Sequence, residues 1–318
     1  MKRLILGLIF VLGIVSYAYS GIFIYFMYDI DQTEFLKGAY FSNNKFVDIC
    51  QDGTKVTYSE KIYGSGWDIF TSHMKGENRN HITKNWKSDD PEPILSKNCN
   101  KIAFSSNKTG EYDIWISSFD GKHKRNISGT KSYPYGCTNC GADVSPAFSL
   151  DAKKVFFVRC DIVDTRYLET SHRACWATPM VADLETNEIS PILNNYKKDI
   201  KELVTAYQNE FIIMTVFEGG YKRLYKMNYD GSGMKLLSGH INYSIEHPKI
   251  SFDDQYVAFN IKDQYKGGTD WYRALVMNIE TGDFREVREG DLFQRPYPIW
   301  FPANGRYVIG LLDTLIAY

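Results

Sequence analysis

The chain has 318 residues, of which 44% are hydrophobic and 15% aromatic, so it can bury a large core. Its formal net charge is −1, and no basic run is long enough to act as a nucleic-acid-binding arm. We therefore expect no nucleic-acid partner, and the many Tyr and Phe residues favour a sheet-rich fold.

The N-terminus starts with Lys2 and Arg3 and then runs without charge from Leu4 to Tyr28. A run of this length predicts a transmembrane helix over residues 4–28, within an anchor segment of residues 1–30. The positive-inside rule then places residues 31–318 on the extracytoplasmic side of a cell membrane, periplasmic or extracellular. The alternative is a signal peptide cleaved after Ser20, which would release a secreted or periplasmic protein. The apolar run continues to Tyr28, which favours the uncleaved anchor.

Beyond the anchor, one phrase recurs: Pro-x-apolar-Ser, a turn, and two hydrophobic strands, with its clearest copy at 91–121. A self-similar period of about fifty residues, with four short strands per unit, is typical of a β-propeller. The centre of the second strand of each unit is marked by an aliphatic residue. These residues are Val56, Ile102, Val155, Ile212, Val257 and Val308.

Each unit is predicted to form four antiparallel strands, a to d, with a left-handed residue closing the turn between c and d. The predicted closing residues are Gly76, Gly121, Asn187, Gly231 and Gly282. The last unit supplies only strands a to c, the third over residues 314–318, and the strand at 34–41 would complete it. The predicted fold is therefore all-β: a six-bladed β-propeller of four-stranded antiparallel blades, closed by an N-terminal strand and preceded by one hydrophobic helix.

The repeats resemble the propeller of the TolB family, with its phrase Pro-x-Trp/Phe-Ser-Pro-Asp-Gly. The resemblance covers residues 42–318, although the Ser-Pro-Asp-Gly core is degraded to forms such as SLDAK and SFDDQ. It implies a TolB-type six-bladed propeller. The separate N-terminal α/β domain of that family has no room here, so the family's partner protein does not follow from the resemblance.

Because the strands alternate in direction, the b–c and d–a connections emerge together on one face, here called the insertion face. The two longest connections, 129–143 and 160–175, lie on it, which is typical of a binding surface. The charged residues near the repeated Pro are predicted to surround the channel mouth on this face as a ligand-binding site for a cationic peptide segment, with a metal ion as the alternative ligand. They are Asp90, Asp143, Glu246, His247 and Arg295.

Six cysteines fit an exported protein in an oxidising compartment. Cys160 and Cys175 would staple a long loop, Cys137 and Cys140 would form a tight loop disulfide, and Cys50 and Cys99 would pair between adjacent blades. The alternatives are buried reduced cysteines and a zinc knuckle made of Cys137, Cys140, Cys160 and Cys175. We expect disulfides and no metal.

The chain has no G-x-S-x-G, H-E-x-x-H, P-loop or G-x-G-x-x-G motif. We therefore expect no catalytic residues and no cofactor. The predicted function is a membrane-anchored, extracytoplasmic module that binds a protein or peptide partner in the cell envelope. The alternative is a metal-dependent lyase or hydrolase acting on polysaccharide, with Glu246, His247 and Arg295 at its site. A purely structural module of an envelope assembly is the third possibility.

Overall fold

The computed structural model describes residues 23–29, 34–41, 44–62, 66–73, 78–129, 142–161, 176–194, 198–263, 271–286, 298–301 and 307–311. Every strand in these ranges belongs to a four-stranded antiparallel sheet. Five sheets each consist of four strands that follow one another in the chain, and we call them blades 1 to 5. This is the architecture of a β-propeller.

The first three blades cover the N-terminal half of the repeat region. Blade 1 consists of β3 (Asn44–Ile49), β4 (Lys55–Ile62), β5 (Gly66–His73) and β6 (Asn80–His81). Blade 2 consists of β7 (Ile94–Leu95), β8 (Lys101–Ser106), β9 (Asp113–Ser118) and β10 (Arg125–Asn126). Blade 3 consists of β11 (Asp143–Phe148), β12 (Lys154–Asp161), β13 (Trp176–Asp183) and β14 (Ile189–Pro191).

The next two blades repeat the same order. Blade 4 consists of β15 (Asp199–Thr205), β16 (Phe211–Glu218), β17 (Tyr221–Asn228) and β18 (Lys235–Leu236). Blade 5 consists of β19 (Ser244–Ile250), β20 (Tyr256–Asp263), β21 (Trp271–Asn278) and β22 (Phe284–Glu286).

A further sheet, here called the terminal sheet, joins the two ends of the chain. Its strands stand in the order β2 (Glu34–Phe41), β1 (Phe23–Asp29), β24 (Tyr307–Leu311) and β23 (Pro298–Phe301). The strand predicted at 34–41 is therefore present at the outer position. Its neighbour is β1, so the prediction that residues 314–318 supply the third strand is wrong. Within the described residues, five blades consist of consecutive strands, and the terminal sheet is the one whose strands come from both ends of the chain.

Strand β1 also corrects the predicted N-terminal helix. Residues 23–28, the last part of the apolar run, pair with β2 and β24 as a strand. A helix over 4–28 is therefore wrong for these residues, since an apolar run alone does not distinguish a buried strand from a helix. Residues 1–22 lie outside the described residues, and within the described ones no helix is long and apolar enough to cross a membrane.

The repeat positions chosen from the sequence form the core. The five aliphatic residues that mark the second strands of blades 1 to 5 have no exposed surface: Val56, Ile102, Val155, Ile212 and Val257. The turns between strands c and d are left-handed as predicted at Gly121, Asn187, Gly231 and Gly282. At Gly231 a Cβ would lie 2.6 Å from Leu193 Cδ2, so the turn also needs the space that glycine leaves.

One of the predicted disulfides, between Cys50 and Cys99, joins neighbouring blades. Cys50 and Cys99, in the a–b turns of blades 1 and 2, are bonded, with their Cα atoms 5.7 Å apart. Cys160 is also disulfide-bonded, which argues against its role as a zinc ligand. Cys137, Cys140 and Cys175 lie outside the described residues, so the two loop pairings stay predictions.

Candidate functional site

A β-bulge in the first strand of the blades shapes the site. The register of β11 and β19 against their neighbours shifts at Ser145-Pro146 and His247-Pro248, so the repeated Pro falls where the ladder is interrupted. The residue directly before the Pro takes a left-handed backbone, with φ of 59° at Glu92, 55° at Ser145 and 55° at His247. The bulge therefore changes the direction of the side chain directly before the Pro, which no longer follows the in-and-out alternation of a regular strand.

These residues contact one another from blade to blade. The Ser145 N–H donates to Glu92 Oε2 at 3.2 Å, and the Leu203 N–H donates to Ser145 Oγ at 3.0 Å. In blade 4 the register shifts at Lys201, and the carboxylate of the next residue, Glu202, accepts the His247 N–H at 2.6 Å and lies 3.1 Å from His247 Nδ1. Four consecutive blades thus share one chain of contacts along their first strands.

A second ion pair lies beside this chain. Lys222 Nζ is 2.5 Å from Glu246 Oε1, and both side chains are largely buried. We use the term mouth cluster for the bulge residues together with this pair: Glu92, Ser145, Glu202, Lys222, Glu246 and His247. Of the predicted site residues, the structure brings only Glu246 and His247 together in this cluster.

The charges of the mouth cluster influence one another. Burial raises the pKa of the Glu92 carboxyl, and the nearby Glu202 carboxylate raises it further. Burial opposes the charge on His247, but the adjacent Glu202 outweighs it, so the pKa of His247 is raised. Burial likewise opposes the charge on Glu202, yet His247 and Lys222 lower the pKa of that carboxyl on balance. Both shifts favour the charged forms of Glu202 and His247 and thus their ion pair.

The predicted site residues Asp90 and Asp143 do not open onto the channel, because both are fully buried. Asp143 binds the Arg159 guanidinium through both oxygens at 3.0 Å. Asp90 and Asp143 each stand three residues before the repeated Pro, whereas His247 stands directly before it. The side chains at these two repeat positions therefore lie on different sides of the bulge. Arg295 lies outside the described residues.

Sequence reasoning missed Glu92, Ser145 and Glu202. Glu92 and Ser145 stand directly before a repeated Pro, as His247 does, so the register of the repeat contained the signal. Glu202 precedes a Leu in the most divergent unit, and only the structure aligns it with the others. Lys222, on strand β17, is brought to the cluster by the fold alone.

Deeper in the channel, two lysines reach across the ring. Lys249 Nζ of blade 5 lies 3.5 Å from Asp48 Oδ1 of blade 1. Lys97 of blade 2 donates to the Thr205 carbonyl of blade 4 at 3.0 Å, and its Nζ stands 3.6 Å from the centre of the Tyr207 ring. Burial lowers the pKa of Lys97 to about 7.

The opposite face carries a groove of 1230 Å³ along the a–b and c–d turns of blades 3 to 5. Its lining is polar and includes Asp151, Lys154, Glu210, Asp230 and Glu280. Asp90, Asp143, Glu246 and His247, the predicted site residues within the described ranges, do not line this groove.

Comparisons with known proteins support the propeller fold. No protein-family model and no curated protein matches the chain. A solved putative TolB from Agrobacterium tumefaciens superposes with a TM-score of 0.68 at 13% identity, covering 94% of this chain and 100% of that one. TolB from Acinetobacter baumannii superposes with a TM-score of 0.54 at 15% identity, covering 92% of this chain and 63% of that one. An oligogalacturonate lyase in complex with manganese superposes with a TM-score of 0.54 at 12% identity, covering 85% of this chain and 89% of that one.

The sheets and the bulged first strands define a β-propeller of four-stranded antiparallel blades. Among propellers, the fold is TolB-like, as the repeat phrase indicated. At 10–15% identity these structures show the fold alone, and they carry different activities on the same scaffold.

Proposed function

We propose that this protein is an extracytoplasmic propeller whose mouth cluster binds a positively charged segment of a protein partner. The observation that carries the proposal is the Glu92 carboxyl of the mouth cluster, whose pKa is raised by burial and then by repulsion from the Glu202 carboxylate, although Glu202 is itself paired with His247. Glu92 accepts one hydrogen bond, from the Ser145 N–H, and no lysine or arginine pairs with it within the described residues. A cationic side chain from a partner would relieve this repulsion.

Exposed aromatic side chains on the same face support a protein partner. Phe217 and Tyr221 flank the b–c turn of blade 4, and Tyr243 lies in the connection to blade 5, with exposures of 46%, 36% and 37%. Arg223 and Arg273 stand over the rings of Tyr221 and Tyr243. Tyr and Arg are the residue types that most often dominate binding energy at protein interfaces.

The binding test uses a fluorescently labelled peptide of alternating Lys and Gly, with a Glu-Gly peptide as its acidic counterpart. We expect the wild-type protein to bind the basic peptide with an affinity that falls as salt is added. The Glu92→Gln/Glu202→Gln double variant should bind at least about tenfold more weakly. Glu188→Gln, at an exposed position outside the cluster, is the matched control and should bind as the wild type does. Equal binding by the double variant would contradict the proposal.

A polysaccharide lyase or hydrolase is the second candidate, because oligogalacturonate lyases are among the fold neighbours. A metal site would need ligand atoms that converge. Within the described ranges, the group of His, Cys, Asp or Glu that could hold an ion is Cys50, Asp52 and Cys99, whose two cysteines form the disulfide. This favours the binding role. Manganese-dependent turnover of an acidic oligosaccharide, lost in His247→Ala, would reverse the preference.

Export is the proposed localisation, and the disulfide between Cys50 and Cys99 supports it, since such bonds persist in oxidising compartments. Because β1 begins at Phe23, cleavage after Ser20 would leave an apolar N-terminus that the sheet can use. An uncleaved run from Leu4 to Ile22 would be close to the ~20 residues that a spanning helix needs. The intact mass of the purified protein distinguishes the signal peptide from the anchor.

The ring is proposed to have six blades, with the terminal sheet as the sixth. Its four-stranded antiparallel pattern matches that of blades 1 to 5. In it, strands from both ends of the chain pair with each other, which would close a propeller without leaving an open sheet edge.

A further inference from the structure

The face opposite the mouth cluster carries charges of opposite sign on its two sides. It is formed by the a–b and c–d turns of the blades. In blades 4 and 5 these turns cover residues 206–210, 229–234, 251–255 and 279–283, and they contain acidic residues but no Lys or Arg. Apart from the buried Asp254, their acidic residues form what we call the acidic half: Glu210, Asp230, Asp253, Glu280 and Asp283.

The carboxylates of the acidic half are bonded only within their own turns. Asp230 accepts the Ser232 N–H at 2.9 Å, and Asp253 accepts the Gln255 N–H at 3.0 Å. Within the described residues, no Lys or Arg forms an ion pair with a member of the acidic half. Their negative charge is therefore not balanced by a neighbouring side chain.

The groove on this face runs between the acidic turns, since Glu210, Asp230 and Glu280 all line it. Its lysines come from the strands instead: Lys154 of β12, Lys226 of β17 and Lys235 of β18. The positive charge of the groove thus comes from the sides of the blades, and the negative charge comes from the turns that face outward.

Blades 1 and 2 carry the opposite sign on the same face. Two lysines begin the b strands there, and two more lie in the c–d turn of blade 2. We call them the basic half: Lys55, Lys101, Lys122 and Lys124. The acidic residues in the described turns of these two blades are Asp52 and Asp120, so positive charge is in excess.

The lysines of the basic half bind mainly carbonyl oxygens, which do not cancel their charge. Lys55 Nζ donates to the Cys99 carbonyl at 3.0 Å, and Lys101 Nζ donates to the Ala152 carbonyl at 3.1 Å. Lys122 is the member that forms an ion pair within the described residues, with Asp120 at 2.8 Å, and its side chain is 74% exposed. An ion pair that is this exposed contributes little and exchanges readily for another.

We propose that this face binds a second copy of the chain, with the basic half of each molecule on the acidic half of the other. An isologous interface uses the same surface twice, so a single two-fold axis makes both contacts at once. The reversed arrangement would bring like charges together, which complementary charge patterns select against. A different protein would have to carry the matching pattern of both signs, which this chain already has.

Such a dimer leaves the mouth clusters free, because they lie on the opposite face of each molecule. The groove between the acidic turns leaves room for lysine side chains of the second copy. The inference does not depend on the proposed peptide binding, and either can fail without the other.

Sedimentation velocity of the full-length chain in a non-ionic detergent tests the proposal. We expect a dimer whose dissociation constant rises at least about tenfold as salt is raised from about 50 to about 300 mM, since salt screens exposed charges. Lys122→Glu/Lys124→Glu and Glu210→Lys/Glu280→Lys should each weaken the dimer at least about tenfold. All four side chains are exposed, so these changes leave the core intact.

Mixing the two variants makes the test specific. Each contact of a mixed dimer again joins opposite charges, so the mixture should form a heterodimer about as tight as the wild-type dimer. Lys84→Glu/Lys87→Glu, at exposed positions on the insertion face, changes the net charge by the same amount and should dimerise as the wild type does.

Three results would overturn the proposal. The first is a wild-type chain that stays monomeric at low salt. The second is a control variant that loses the dimer as completely as Lys122→Glu/Lys124→Glu, which would make net charge the cause. The third is a mixture that forms no heterodimer, which would assign the two halves to separate ligands of opposite charge.

Discussion

At the residue scale, the contact between Glu202 and His247 makes stability depend on pH. The pKa of His247 is raised in the folded state, so its contribution is complete below the unfolded pKa and is lost as pH rises through the folded one. The pKa of Glu202 is lowered, so its contribution is lost as pH falls through its folded value. The ion pair therefore stabilises the protein most between these two limits.

Replacing Glu202 with Gln keeps an acceptor for the His247 N–H and removes the charge. We expect a loss of up to about 1 kcal/mol at pH 5.5, because both side chains are partly exposed, and a smaller loss at pH 8.5. Urea unfolding at the two pH values measures both losses, and Glu188→Gln controls for net charge. A loss that is the same at both pH values would show that the ion pair does not contribute.

At the element scale, the a–b turn of blade 4 depends on a carboxylate from blade 5. Blades 2, 3 and 5 have a Ser at the start of this turn, as Ser149 and Ser251 show, but blade 4 has Ala206. Asp254 instead holds the blade 4 turn by accepting the N–H groups of Tyr207, Gln208 and Asn209 at 2.7 to 2.9 Å. Asp254→Ala should cost about 2–4 kcal/mol, since it leaves several donors of a part-buried turn unsatisfied. Denaturant unfolding measures the cost, and Asp283→Ala, in an exposed turn, should cost much less.

The same turn explains where the sequence was informative. The repeat phrase predicted the second strands and the left-handed turns because each of these depends on residues inside one unit, such as Val155 and Asn187. It did not reveal what stabilises the turn of blade 4, because Asp254 lies in the next unit. The site was predicted only in part, since the bulge decides whether a side chain enters the channel, as at His247, or the blade interface, as at Asp90. Charge and nearness to a Pro do not reveal that difference.

At the scale of the whole molecule, β1 decides how the N-terminal region is understood. If the chain consisted of an anchor over residues 1–30 and an independent propeller over residues 31–318, the propeller would fold without the first thirty residues. In the structure β1 lies between β2 and β24, so removing it would separate β2 from the sheet and leave one edge of β24 unpaired. Exposed strand edges are also sites of aggregation.

Two truncations separate these possibilities. The chain without residues 2–20 keeps β1 and should unfold cooperatively at a temperature close to that of the full-length protein. The chain without residues 2–30 loses β1 and should aggregate, or melt at a much lower temperature, because the first and last strands of the fold are no longer joined. Circular dichroism melts and size-exclusion chromatography measure both outcomes. If the shorter chain were monomeric and as stable as the longer one, β1 would not be part of the propeller and the N-terminal segment would act as an anchor alone.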